Sequence, residues 1–442
     1  MAGDQPRPFH LRDNFAPVDR EVTALDLLVE GTIPRALRGL YLRNGPNPKA
    51  PSNHWFAGDG MVHGVRLEDG HCAWYRNRWV RTRALEGASL VTAEGTVDHT
   101  VGVANTNVIG HASRIFALVE SSFPTELDQE LATRGVCDFD GRLKTSMTAH
   151  PKLCPRTGEL HFFGYQFMPP WLTYHRLDAA GRLVRSVEIT VPGPTMIHDF
   201  ALTERHVVFM DLPIVFSIER AMSGGFPYEW SDSYGARLGV MPLGGPASAI
   251  RWVEIEPCFV FHGMNAWREG DDVVLDVCRM DKVFEKGAAL GPPSRLHRWR
   301  LGTGGSTLTF KDEIRSDLDA DLPSIDKRFT GRVNRHGWRV ETRPATDDVV
   351  LAGAVHVDTK SGTETRWDPG PQFSSGEWLF VPTGSGEADG VVMTYVHDRS
   401  TDTTSLVVLD ARDVAAGPLA TIPLPQRVPY GFHATWVPAT EA

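Results

Sequence analysis

Short apolar runs recur along this 442-residue chain at a spacing that fits neither a helical bundle nor one small sheet. Each has a polar or acidic lead followed by two or three aliphatic residues. HVVFMDLP from His206, DDVVLDVC from Asp271, DDVVLAGAV from Asp347 and DGVVMTYV from Asp389 share this form. RIFALVE from Arg114 and ELHFFGY from Glu159 are looser copies. The runs start at Ile115, Leu160, Val207, Val273, Val349 and Val391, a mean interval of about 55 residues. Repeats of this length mark solenoids, propellers and arrays. Each has room for three or four short strands, which is one propeller blade. The chain holds about eight such lengths, and its irregular N-terminal stretch takes part of that. The expectation is an all-β, seven-bladed propeller; an irregular pair of β-sandwiches is the alternative.

Other features agree with many strands and many turns. The chain has 42 glycines and 31 prolines, an excess over ordinary usage that suits frequent turns. No Pro/Ser-rich linker divides it, so residues 1–442 are expected to form a single domain. One segment reads as helix: TELDQELATR, Thr125 to Arg134, entered by Pro124 and stopped by Gly135. Gly58-Asp59-Gly60 reads as a hairpin turn flanked by His54 and His63.

The formal charge of −10 comes without any Lys/Arg-rich run, which argues against a nucleic-acid partner. Cys72, Cys137, Cys154, Cys258 and Cys278 form no CxxC pair and are read as reduced, mostly buried thiols. The N-terminal stretch carries no apolar signal region, and no run approaches the length needed to span a bilayer. A cytoplasmic protein is expected, and peripheral membrane contact stays open. No residue pattern fixes an oligomeric state.

The 17 histidines fall into two groups when placed on the repeat. His150, His198 and His262 lie 10, 9 and 11 residues before their apolar runs. Equivalent positions of successive blades face one axis, so three imidazoles in phase point to a shared metal. His433, in YGFH where a closing blade would lie, is a candidate fourth. His161, His175, His206, His297, His336, His356 and His397 fall in or beside strands and read as structural, as do His54 and His63. Four neutral imidazoles leave a divalent ion its full charge, which favours iron(II) with open positions over structural zinc. Ligating imidazoles need outer acceptors on their other nitrogen. Glu120, closing FALVE, and Glu377, opening EWLFV, are acids at strand edges that fit this requirement.

Several segments together resemble the carotenoid cleavage oxygenase family, which also holds lignostilbene dioxygenases and retinoid isomerases. They are LRGLYLRNGPNP from Leu37, HWFAGDGMVHG from His54, ANTNV from Ala104, TAHPKLCPRTGELHFFGY from Thr148, MIHDFALTERHVVF from Met196, FVFHGMNAW from Phe259, GEWLFVP from Gly376 and RVPYGFHATW from Arg427. The resemblance runs nearly end to end. It implies a seven-bladed propeller with a dome of loops and short helices over the metal-bearing face. It also implies one Fe(II) per chain held by His150, His198, His262 and His433, with Glu120, Asp321 and Glu377 orienting three of them. Asp321 stands where the family has a glutamate before Phe-Pro; here the next residues are Leu322 and Pro323. Its shorter side chain calls for a small backbone shift or a bridging water. Thr106 matches a threonine whose methyl sits beside an open iron position.

The implied chemistry is cleavage of a C=C bond of a small apolar alkene by O2, with no nicotinamide or flavin. In the stilbene-cleaving branch a lysine before the first glutamate grips the phenol; here that residue is Val119. Val119 favours an apocarotenoid, whereas PLPQRVPYGFHATW near the C-terminus is similar to the bacterial stilbene-cleaving branch, so a lignostilbene or isoeugenol-like phenylpropenoid is the alternative. Phe163, Phe261, Trp267, Trp378, Phe432 and Trp436 are candidate tunnel or dome aromatics. Pro213 to Trp230 is the candidate membrane-facing segment. An iron-dependent isomerase and a non-catalytic propeller are the competing functions.

Overall fold

In the computed structural model, which describes residues 8–284, 293–344 and 349–439, seven antiparallel sheets follow one another around an axis. They form a seven-bladed β-propeller. Blade 1 spans Asn107–His111 to Thr133–Val136, blade 2 Lys152–Leu153 to Leu183–Glu188, and blade 3 Phe200–Leu202 to Arg251–Glu254. Blade 4 spans Phe259–Glu269 to Thr309–Ile314, and blade 5 Ala320–Ser324 to Glu364–Trp367. Blade 6 is built on Leu379–Pro382, Gly390–Asp398, Thr403–Asp410 and Pro418–Pro423. The first strands of blades 3 and 4, 4 and 5, 6 and 7, and 7 and 1 touch each other, which sets them around the axis.

The ring closes twice. The C-terminal strand Ala434–Pro438 pairs with Gly39–Pro46 and becomes the inner strand of blade 7, whose other strands come from the N-terminal part of the chain. Glu30–Gly31 pairs with Pro418–Pro423 at the outer edge of blade 6. Two glycines permit the first closure. A Cβ on Gly45 would lie 2.5 Å from Gly431 Cα, and one on Gly431 would lie 2.6 Å from the Asn44 carbonyl oxygen. The close approach lets Phe432 N–H donate to Asn44 O at 2.9 Å and Asn44 N–H donate to His433 O at 3.0 Å.

The spacing of the apolar runs has a structural reading. Ile115, Leu160, Val207, Val273 and Val391 all lie in the second strand of a blade. Val349 instead opens a third strand, Val349–Asp358; the second strand of blade 5 is His336–Pro344. That strand contains Arg339, fully buried and paired with Glu364, so a charge interrupts its apolar pattern. The long interval before Val273 contains an insertion in blade 3. There Ile214–Phe216 pairs with Tyr228–Trp230 across the short helix Ile218–Met222, forming part of the dome.

Thr125 to Arg134 is not a helix. Thr125–Leu127 and Thr133–Val136 are paired strands of blade 1. Asp128 Oδ1 accepts the N–H groups of Glu130 at 2.9 Å and Ala132 at 2.8 Å, and Leu131 adopts a φ of 66°. A turn-forming Asp side chain competes with helix, and burial of Thr125 and Leu127 against the neighbouring strand decides the outcome. Gly58-Asp59-Gly60 is not a tight hairpin turn either. It ends a long connection between Gly39–Pro46 and Gly60–Glu68 that includes the short helix Trp55–Ala57. The five cysteines are free and buried.

Gly45→Val should push the closing strand away from its partner. Overpacking of this kind costs roughly 1–3 kcal/mol, read as a lower denaturant midpoint than wild type; an unchanged midpoint would contradict the closure described.

Candidate metal centre and its cavity

Each of the seven inner strands places one polar side chain at or near its start, at the same end of the propeller. Thr106 precedes the inner strand of blade 1, His150 that of blade 2 and His198 that of blade 3. His262 lies in the inner strand of blade 4 and Asp321 in that of blade 5; Glu377 and His433 precede those of blades 6 and 7. Glu120 follows the second strand of blade 1. The phase seen in sequence is therefore the phase of the inner strands, and the C-terminal closure brings His433 into the same ring.

The four histidines converge. One ligand atom of each lies within 4.8 Å of the others. Ring centroids are 4.5 Å apart for His150 and His198, 4.4 Å for His150 and His433, and 5.0 Å for His262 and His433. His150 Nε2 and His198 Nε2 are 2.9 Å apart. The outward nitrogens meet carboxylates. His198 Nδ1 pairs with Glu120, whose other oxygen accepts from the Tyr165 hydroxyl. His262 Nδ1 is 2.8 Å from Asp321 Oδ1, and His433 Nδ1 is 3.6 Å from Glu377 Oε2. Among the described residues, no carboxylate forms an ion pair with His150.

A carboxylate can only accept. It therefore places the proton of His198 and His262 on Nδ1 and turns the Nε2 lone pair inward. His262 Nε2 is buried and has no hydrogen-bond partner. Burial and the three neighbouring imidazoles hold His150 well below the ordinary histidine range, so it is neutral. Burial alone would raise the Asp321 carboxyl, but His262, Leu322 N–H and the Ser294 hydroxyl outweigh it and hold it below its ordinary value. Burial is likewise outweighed at Glu377 by His433, Ala434 N–H and Lys327. Carboxylate acceptors outside and converging imidazole nitrogens inside are the donor set of a divalent transition metal.

Asp321 reaches His262 directly, without a water. The ladder shifts register between Asp321 and Ser324, and Leu322 adopts a φ of 52°. The direct contact is thus made at a local irregularity of the strand. Asp321 Oδ2 also accepts from Ser294 Oγ at 2.8 Å, and Leu322 N–H donates to Oδ1 at 2.7 Å. Thr106 lines the cavity; its hydroxyl donates to Asn105 Oδ1 at 3.0 Å, which leaves the methyl as its unengaged group.

A cavity of about 1300 Å³ opens on His198, His262 and His433. It is larger than most small-molecule pockets. Phe261 and Phe432 line it, as do Phe56, Phe167, Phe216 and Phe284. Phe163, Trp267 and Trp378 are instead buried in blade packing, and Trp436 packs on the core of blades 6 and 7. The segment Pro213 to Trp230 mostly turns inward: Phe216, Phe226 and Tyr228 line the cavity, while Ile218 and Met222 are 64% and 82% exposed. His54, read as structural, also lines the cavity and stacks on Phe226 at 4.9 Å. Val119 lines it beside Glu120.

The outer carboxylates lead to a graded prediction. Glu120→Ala and Asp321→Ala should each weaken metal binding about 10–100-fold, and Asp321→Glu should retain it. Glu377→Ala, whose partner lies beyond hydrogen-bond length, should cost less. Metal retained after graded chelator dialysis measures the order; equal retention by all variants would contradict it.

Comparison with known proteins follows the same lines. The family model described as retinal pigment epithelial membrane protein matches residues 15–438. A carotenoid cleavage oxygenase of Mycobacterium tuberculosis is 38% identical, over 100% of this chain and 99% of its own length. The crystal structure of Pseudomonas brassicacearum lignostilbene dioxygenase superposes with a TM-score of 0.89 at 30% identity, covering 98% of this chain and 99% of that one. Cobalt-substituted Synechocystis apocarotenoid oxygenase superposes with a TM-score of 0.84 at 25% identity, covering 96% and 97%.

Proposed function

Since this chain belongs to the family of carotenoid cleavage oxygenases and the retinal pigment epithelial membrane protein, we propose that it is an iron(II)-dependent dioxygenase that cleaves a C=C bond of an apolar alkene, with an apocarotenoid as the favoured substrate. The observation that carries this reading is the four-histidine cluster at the floor of a large aromatic cavity. Iron(II) held by His150, His198, His262 and His433 would supply the one-electron chemistry that lets O2 react with a closed-shell alkene. One alkene and one O2 balance to two carbonyl products, each with one oxygen atom.

The chain's own residues do the rest. Glu120, Asp321 and Glu377 fix the rings of three ligands. The Phe-lined walls exclude water and hold the alkene beside the metal face. Thr106 and His433 line the cavity together, and the His433 backbone N–H donates to Thr106 O at 3.3 Å, so the Thr106 methyl is a candidate for narrowing the space at the metal face. Val119 offers an apolar contact beside Glu120. Arg343, a cation in the cavity wall, is already engaged by Glu341 at 3.0 Å and Asp368 at 2.8 Å. A phenolate therefore finds no free cation among the described wall residues, which favours a polyene. The stilbene or phenylpropenoid reading is supported by the likeness to the Pseudomonas enzyme.

No helix among the described residues is long and apolar enough to cross a membrane. Ile218 and Met222, exposed on the dome and bordering the cavity, are the side chains best placed for peripheral membrane contact by a cytoplasmic enzyme.

Turnover of an apocarotenoid should consume one O2 per alkene and give aldehydes or ketones by mass analysis. Alkene conversion without oxygen uptake would point to an isomerase, and vanillin-type aldehydes from hydroxystilbenes alone would overturn the substrate choice. His262→Ala should remove both iron and turnover.

A further inference from the structure

Asp199 stands directly after His198, and its carboxylate is 1% exposed. Nothing in the ligand set requires it. Its oxygens join three inner strands. Oδ1 accepts from its own strand, Phe200 N–H at 2.8 Å, and meets Lys152 Nζ of blade 2 at 2.7 Å. Oδ2 accepts Gly263 N–H of blade 4 at 2.9 Å. Lys152 is two residues from His150, and Gly263 is the residue after His262. One carboxylate therefore joins the segments that carry three of the four histidines, through a backbone N–H in blades 3 and 4 and through the Lys152 side chain in blade 2.

The bond to Gly263 has a local reason. The inner strand of blade 4 shifts register between Val260 and His262 and again between Gly263 and Asn265. Such irregularities re-aim a side chain and disturb ladder bonding locally. Here they turn His262 toward the axis, and Asp199 takes the N–H next to it. The pairing with Lys152 has an electrostatic reason. A lysine ammonium close to His150 would repel a dication held there, and a buried carboxylate at 2.7 Å offsets that charge.

We infer that Asp199 is a positioning residue of the metal centre: through Gly263 N–H and Lys152 it sets the spacing of His150, His198 and His262 behind the ligand face. This rests on the reading of the four histidines as a metal site. Cobalt(II) titration of the metal-free full chain tests it, followed by visible ligand-field absorption and chelator competition. Asp199→Ala should raise the cobalt dissociation constant about 10–100-fold, as outer-shell losses do, and change the absorption envelope. Asp199→Asn keeps an acceptor for Gly263 N–H and loses the ion pair, so it should fall between Ala and wild type, close to Lys152→Met. Far-UV circular dichroism and melting identify folded variants. A folded Asp199→Ala protein with wild-type affinity and spectrum overturns the inference. Should that variant fail to fold, wild-type affinity and spectrum in both Asp199→Asn and Lys152→Met overturn it instead. A wild-type protein that takes up no cobalt fails at the earlier step and overturns the metal reading together with this one.

Discussion

Imidazoles whose Nδ1–H groups are directed at buried carboxylates turn their Nε2 lone pairs inward, and lone pairs gathered in a dry interior repel unless a cation lies among them. That constraint organises this molecule. Asp321 and Glu120 anchor His262 and His198 from outside, Glu377 faces His433, and His262 Nε2 is left buried without a partner. The cost of burying three carboxylates near the axis is offset by these partners and by backbone N–H groups. A metal site explains the arrangement; a purely structural core would be better served by apolar side chains.

The propeller is the means of bringing these groups together. Side chains far apart in sequence become neighbours because each blade begins at the axis. Thr106, His150, His198, His262, Asp321, Glu377 and His433 each come from a different blade. Closure by Ala434–Pro438 is therefore a functional step as well as a structural one, since it delivers His433. The cavity above the ring is built from the dome insertion of blade 3, the segments leading into the inner strands and the loops after the second strands.

Much of this is legible in the sequence. The recurrence of apolar runs reflects second strands buried on both faces, and the histidine phase reflects a common start of the inner strands. The misreadings have physical causes. Val349 looked like its counterparts because a third strand can be as apolar as a second, while Arg339 hid the true second strand of blade 5. Thr125 to Arg134 has helix-forming residues but is captured by strand pairing and by Asp128. The direct Asp321–His262 bond depends on a register shift and a left-handed Leu322, which no side-chain count foretells. His54 reads as structural in sequence, and Asp199 carries no signal there beyond its place beside His198, because cavity lining and contacts between blades are tertiary facts.

The central claim is that four imidazoles, with no carboxylate or thiolate, hold one iron per chain. X-ray absorption at the iron edge of the protein produced under iron-replete conditions tests it most directly. The account predicts one iron per chain with a nitrogen and oxygen shell containing about four imidazoles and no sulfur. Absence of iron, or a shell fitted by two imidazoles and a carboxylate, would contradict it.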